Sequence, residues 1–330
     1  MTEAVRFSSS IAPLLIRYLA LKRALGRQAL DTEYILEYLD RFLVSCHAAD
    51  LTRETFAAWN QSMALLQANT RRARLRSVYH FCVFRRRDDP DAFVPDPTQF
   101  PSPIPYRSPY IFSAAEIIRL LDTAGSLAPH EGSPLQRDVA RVSVVVLYTA
   151  GLRRGELVRL TLGDYDEADK VLHVRLTKFN KSRLVPLSAD AAVELDRYLT
   201  ARRAFGAPSD GSSPLLIHNH GARFRGYTGG GFSQLLSKVI RTAGILTPQG
   251  RAPRIHDLRF TFAVHALWRW YRTGVDVQAR LPALATYLGH SSVVSTEYYL
   301  PFFQATAEAA SERFRSHSAS WLAAGKGGRL

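Results

Sequence analysis

Apolar positions recur at three- and four-residue spacing through the N-terminal part of the chain. Ile11, Leu14, Leu15, Tyr18 and Leu19 form one stripe, Tyr34, Ile35, Tyr38, Leu39, Phe42 and Leu43 a second, and Val78, Tyr79, Cys82 and Val83 a third. This period predicts amphipathic helices, and residues 1–88 read as a small helical bundle of about four or five members. The pattern then breaks: seven of the 17 prolines fall between Pro90 and Pro109. Such a stretch cannot be helix and is expected to run extended, so residues 89–112 read as a linker with a reach of roughly 60 Å.

Beyond the linker the pattern is mixed. Ser113 followed by Glu116 forms a capping box ahead of Ile117, Ile118, Leu120 and Leu121. An apolar helix through Val142–Thr149 is expected to end at Gly151, which tolerates positive φ. Residues 170–179 and 182–187 alternate as two strands around a turn at Asn180–Lys181. Helices are expected again over 232–243, 256–272 and 281–288 and beyond Ser295, with Leu258, Phe262, Ala266 and Trp270 as the core stripe of the second. The fold class is mainly α with one small antiparallel sheet, and residues 113–330 form the second domain.

Charge changes the picture. Lys and Arg number 43 against 29 Asp and Glu, a net of +14, and only six of the 43 are Lys. A hydrophobic share of 46% excludes a disordered basic tail. Either genome composition or a nucleic-acid partner explains such an Arg excess. Arg71, Arg72, Arg74, Arg76, Arg85, Arg86 and Arg87 crowd 17 residues at the end of the first domain, a density that favours phosphate contact. The excess is spread over both halves, +4 before residue 113 and +10 from there on. Cys46 and Cys82, two thiols in apolar surroundings, are too few for a disulfide framework or a zinc site and are expected to be buried. No apolar run approaches the length of a membrane span, and Arg6 and Arg17 interrupt any signal-peptide core. The expected location is the cytoplasm, in association with the nucleoid.

Four short stretches are polar where a core would be apolar. They are Arg153 to Glu156 on an interhelical turn, the cationic hairpin tip with Lys178, Lys181 and Arg183, the pair His256 and Arg259, and Gly289–His290 followed by Tyr298–Tyr299. Together they supply guanidinium forks, a proton donor and a nucleophile, with no carboxylate cluster for Mg²⁺ or Ca²⁺. Metal-free phosphoryl transfer needs that set. The string His218-Asn219-His220 lies in a predicted loop without the pattern of a metal nuclease, and Gly229–Gly231 is a flexible helix entry rather than a phosphate loop.

The order Arg153, Lys178, His256-x-x-Arg259, His290, Tyr299 resembles the tyrosine recombinase (lambda integrase) family, which includes the Xer and Cre recombinases. The stretches TAGLRRGELVRLTLGDYD, HDLRFTFAVH and LGHSSVVSTEYYL carry the resemblance, over residues 113–300. It implies a helical core-binding domain and a catalytic domain forming a C-shaped clamp on DNA. Tyr299, nine residues beyond His290, would be the nucleophile forming a 3′-phosphotyrosyl link, with Tyr298 a packing residue. Arg153 and Arg259 would stabilise the phosphorane and Lys178 would protonate the leaving oxygen. His256 would act as base or donor, His290 would orient the phosphate, and Glu156 would support the first arginine. Lys181 and Arg183 join the helical-domain arginines as DNA contacts. The hairpin departs from the family's Gly-Lys-Gly, leaving Lys181 as a second candidate acid, and Phe260 stands where many relatives have a second His.

The resemblance implies no metal, cofactor or ATP, and a homotetramer on double-stranded recombination sites from a monomeric or weakly associating free protein, with partner recombinases as further candidates. The tail STEYYLPFF and the hairpin TKFNKSRLVPL look like recombinases of mobile elements. A type IB topoisomerase-like enzyme and a catalytically silent DNA-binding protein are the alternatives. Phe302, Phe303, Ala307, Ala310 and Phe314 form an amphipathic stripe that would dock on a neighbour or in cis.

Overall fold

The computed structural model describes residues 7–27, 29–104, 107–128, 133–175, 182–220, 223–290 and 292–303. The chain divides into two compact units, Met1–Arg107 and Ser108–Leu330. Among the described residues the first unit holds four α-helices, α1 (Ala12–Ala24), α2 (Leu30–Ser45), α3 (Arg53–Ser62) and α4 (Ala68–Arg85), and a single 3-10 turn at Pro97–Gln99 inside the stretch expected to be extended throughout. Leu15, Leu36, Leu39, Leu43, Trp59 and Phe81 close its core. The proline-rich stretch is not a free linker up to residue 104. Phe100 is buried in the same core, Arg72 donates to the Pro101 carbonyl at 2.8 Å and the Ile104 amide donates to Asn69 at 2.8 Å. Apolar side chains between the prolines find a core to enter, so the extended segment lies on the bundle.

The second unit contains α5 (Ala114–Gly125), α6 (Gln136–Thr149), α7 (Arg154–Arg159), β1 (Tyr165–Asp166), β2 (Val171–Val174) and β3 (Arg183–Pro186). Then follow α8 (Ala189–Ala204), β4 (Ile217–His220), β5 (Arg223–Gly226), α9 (Gly229–Thr242), α10 (Asp257–Arg272), α11 (Val277–Leu288) and α12 (Val294–Glu297). The capping box at Ser113 forms as expected: Glu116 accepts from the Ser113 amide at 2.8 Å and returns its own amide to Ser113 Oγ. The C-terminal half of α6 is buried on every side from Val142 to Leu147 because the helix is central, packing against α5, α8, α9 and α10. Strands β1, β2 and β3 form an antiparallel sheet in which Leu172 faces Val185.

Several expectations are corrected. A second antiparallel pair, β4 with β5, holds His218 and Asn219, which the sequence reading placed in a loop. In β5 two exposed arginines alternate with half-buried Phe224 and Gly226, so a single apolar residue is all that marks it. Gly229–Gly231 are the first turn of α9, capped by Thr228 accepting from the Gly231 amide at 3.1 Å. Helix α11 begins four residues before Leu281 and runs through Pro282, its start fixed by Asp276 accepting from Gln278 and Ala279. In α10 the fully buried face is Phe260, Ala263, Val264 and Leu267, while Phe262, Ala266 and Trp270 are half-buried. Cys46 is exposed at the end of α2, and Cys82 is buried. No described helix is long and apolar enough to cross a membrane.

Candidate active site

Three chain segments meet at the N-terminus of α10: the α6–α7 turn, α10 itself, and the end of α11. The turn is built by Gly151, whose φ of 59° lies in the left-handed region. A Cβ there would sit 2.5 Å from Phe262, so only glycine allows α10 this close. Its carbonyl accepts from Arg259 Nη1 at 2.6 Å. The end of α11 supplies the Leu288 carbonyl, which accepts from Arg259 Nη2 at 2.7 Å. His290 Nε2 lies 3.0 Å from the same Nη2. Arg259 is 1% exposed and forms no ion pair with a described carboxylate. Burial, then repulsion from Arg153, lowers its pKa to about 10. Three of its five N–H donors are committed to these partners, and two remain for a ligand.

Arg153 caps α7. Glu156 accepts from its amide at 2.9 Å and from its Nη1 at 2.7 Å, while Nη2 donates to the Gly289 carbonyl at 3.3 Å. Glu156 therefore holds the turn. It holds more than that, because Arg183 donates to both its oxygens at 3.2 and 2.8 Å and to the Tyr287 carbonyl at 2.8 Å. Arg183 therefore directs its donors into the unit, where the reading from residue type expected a DNA contact. It is largely buried and serves as a strut joining β3 to the site. Burial raises the Glu156 pKa, but the Arg183 hydrogen bond and charge, followed by Arg153, overcome this and bring it to about 2. Three guanidiniums around one carboxylate leave the cluster net positive.

His256 sits at the N-cap of α10. The residue is exposed as a whole, yet its ring packs edge-on against Phe260 at 5.3 Å. That desolvation, followed by the Arg259 charge, lowers its pKa to about 4. Burial and then Arg259 lower His290 likewise to about 4. Both rings are neutral at pH 7. Arg153, Arg154, Ser233, Arg241, Arg254 and His256 line an open cleft of about 710 Å³ beside this group.

The two tyrosines follow α12. Tyr299 is 3% exposed and Tyr298 38%, so Tyr299 is the more deeply packed of the pair, contrary to expectation. Its ring stacks on His290 at 5.9 Å and meets Phe260 edge-on at 5.1 Å. It lies near enough to Arg259 to act on that charge. Phe260 touches both tyrosines and His256, which makes it the aromatic contact between the two boxes. The structure thus brings Arg153, Glu156, His256, Arg259, His290 and Tyr299 together. Lys178 and Lys181 lie outside the described residues, as do Ala307, Ala310 and Phe314.

The arginines of α4 divide. Arg85 is 6% exposed and paired with Asp50 at 2.8 Å, which removes it from any DNA surface. Arg71 donates to Asn60 at 2.7 Å, and Arg74 lies 4.8 Å from the Tyr38 ring. Arg76, Arg86 and Arg87 are exposed. The reading by residue type also missed Thr296, which accepts or donates at 2.7 Å to His290 Nδ1. Its position six residues after His290 was the available signal. No group of three metal-ligating side chains occurs among the described residues.

A buried guanidinium beside a second one, two neutral histidines and a tyrosine thus stand together, the residue types that the resemblance to the tyrosine recombinases implies. The model of the phage integrase family matches residues 113–304, and the chain belongs to that family. It is a site-specific recombinase by class, an enzyme that cleaves and rejoins DNA. It is 34% identical over 284 residues to the y4rB protein of Sinorhizobium fredii, an integrase/recombinase by name, spanning 86% of this chain and 90% of that one. It is 36% identical over 234 residues to the tyrosine recombinase XerD of Xanthomonas campestris, spanning 68% and 64%. The fold is similar to that of the Tn1549 transposon integrase in complex with a circular intermediate DNA, with a TM-score of 0.59, 18% identity and coverage of 87% and 94%. It is also similar to a lambda integrase dimer bound to a core site, with a TM-score of 0.55, 18% identity and coverage of 87% and 76%.

Proposed function

We propose that Tyr299 is the nucleophile of this recombinase and that Arg153 and Arg259 hold the scissile phosphate of double-stranded DNA. The observation that carries the reading is Arg259: a buried guanidinium held by two carbonyls and a histidine, without a carboxylate partner. Such a charge is expensive to bury and is offset when an anion binds. Tyr299 Oη bonds to phosphorus as the bond to the 5′-oxygen breaks, leaving a 3′-phosphotyrosyl link and a 5′-oxygen that takes a proton. Negative charge building on the non-bridging oxygens meets the two guanidiniums. His256, neutral at pH 7, can take the tyrosine proton. Lys178 is the proposed acid for the 5′-oxygen, a role that rests on the family resemblance alone. Rejoining is the same step reversed with a second 5′-hydroxyl, so the phosphotyrosine bond stores what religation needs.

Phosphates flanking the scissile one would follow the cleft of Arg154, Arg241 and Arg254, and Arg76, Arg86 and Arg87 would track the backbone from the helical unit. On two recombination sites the protein would act as a homotetramer, in the cytoplasm at the nucleoid, on a mobile element. Nicked suicide duplexes carrying candidate sites test the assignment on denaturing gels. A covalent adduct is expected from the wild type and from Tyr298→Phe, and none from Tyr299→Phe. An adduct that survives Tyr299→Phe overturns it. Joined products on adding a second site separate recombination from topoisomerase-like relaxation, and absence of any adduct favours a silent DNA-binding protein.

A further inference from the structure

We infer that Arg183 is a positioning residue for Arg153: it carries both groups on which the Arg153 guanidinium rests, and it keeps Glu156 from cancelling that charge. The inference rests on the proposed function for the part Arg153 plays at the phosphate. The Arg153 guanidinium has two anchors. Its Nη1 donates to Glu156 Oε1 at 2.7 Å, and its Nη2 donates to the Gly289 carbonyl at 3.3 Å. Arg183 holds the first anchor from β3, donating to Oε1 at 3.2 Å and to Oε2 at 2.8 Å. It holds the second by lying across the end of α11. Its Nε donates at 2.8 Å to the Tyr287 carbonyl, in the last turn, where helix carbonyls lack an intrahelical donor. Gly289 has a φ of 69°, and a Cβ there would sit 2.7 Å from Arg183 Nη1. The guanidinium therefore packs directly on the residue that receives Arg153.

Charge gives the second half of the argument. The Arg153 side chain is 33% exposed, against 9% for Arg183 and 2% for Glu156. Arg153 alone with Glu156 would make a neutral pair, and an arriving phosphate would meet a cation already matched. With Arg183 on the same carboxylate the trio is net positive, and its exposed member is Arg153. The Glu156 charge also acts on Arg259 and His290, so matching it from β3 leaves a stronger positive field at those groups too.

The first test needs no DNA. The charged and titratable groups around the Glu156 carboxylate are Arg153, Arg183, Arg259 and His290. In a carboxyl ¹³C titration of the full chain, Glu156 is identified by its loss in Glu156→Gln. Its midpoint should be about 2 in the wild type and should move toward the ordinary 4.5 in Arg183→Gln. Adduct formation on the suicide duplex, at fixed ionic strength, should slow on the order of a hundredfold in Arg183→Gln. Arg183→Lys, which keeps the charge and loses the fork, should fall between that variant and the wild type. Combining Glu156→Gln with Arg183→Gln makes the cluster net positive again, and should cleave about tenfold faster than Arg183→Gln alone. A merely architectural Arg183 would make the double variant slower, because one more side chain of the cluster is lost. A double variant no faster than the single one overturns the inference, as does an unmoved Glu156 midpoint. So does Arg183→Lys at the wild-type rate, which decides the matter if the glutamine variant does not fold. A wild type that forms no adduct sinks the proposed function, and a displaced midpoint would still establish the hold of Arg183 on the carboxylate.

Discussion

Arg85 of the helical unit and Arg259 of the second unit are withdrawn from solvent to a similar degree, yet their surroundings differ in kind. Arg85 meets Asp50, a half-exposed carboxylate, and its charge is matched within the unit. Arg259 meets two carbonyl oxygens and a neutral histidine, and Glu156, the carboxylate that acts on its charge, is already claimed by Arg153 and Arg183. Carbonyl capture alone does not define a site. Arg202 is also buried and donates to the Pro208 and Pro214 carbonyls, but the groups that act on its charge are Tyr198 and Asp210 rather than another guanidinium. What separates Arg259 is unmatched charge shared with a neighbouring guanidinium and placed next to a tyrosine. A buried positive charge left open is a demand for an anion, whereas a matched one is part of the fold.

The largest effect should come from Arg259→Lys, which keeps the charge and removes the fork. Adduct formation on the suicide duplex should fall on the order of 10³-fold, or about 4 kcal/mol in the barrier. A lysine variant that cleaves like the wild type would erase the distinction between the two arginines. Glu156→Gln comes next. The folded pKa of Glu156 is about 2 against an ordinary 4.5, so its contribution is complete above pH 4.5 and is lost as pH falls toward 2. Glutamine should lower stability at pH 7 by about 3 kcal/mol and flatten the acid limb of a Tm-against-pH curve in that window. An unchanged limb would mean that the strut of Arg183 and Arg153 does not depend on the carboxylate. The smallest effect is expected from Arg85→Met, which leaves Asp50 to water. Stability should move by about 1 kcal/mol or less and adduct formation should not change. A cleavage defect there would show that burial by itself, matched or not, marks a working arginine.

Much of the site could be read from the chain because its chemistry is local. Arg153 and Glu156 stand three apart on one turn, as do His256 and Arg259 on α10, and such spacings fix a shared face without knowledge of the fold. The residues that act across segments were not legible. Arg183 sits among cations at a hairpin and looks like a DNA contact, yet its partners Glu156 and Tyr287 lie 27 and 104 residues away. Thr296 looks like any threonine near a helix start until His290 is seen above it. Arg85 continues a run of exposed arginines, and only the position of Asp50 shows that α4 turns it inward. In the same way β4 and β5 escaped notice because four residues each, with Ile217 and Phe224 as their apolar members, are too few to show an alternation.

The reach of Arg259 also orders events during synthesis. Its carbonyl partner at Gly151 precedes it by 108 residues and the one at Leu288 follows it by 29. At ribosomal rates of about 5–20 residues per second, Gly151 waits roughly 5–20 s for the guanidinium that will occupy its turn. The last acceptors, Leu288 and His290, leave the ribosome later still. A nascent chain therefore carries the Gly151–Arg153 turn unfinished, and the proposed site is incomplete until the end of α11 has docked. An enzyme that cleaves and rejoins DNA thus completes the setting of its buried arginine only near the end of its own synthesis.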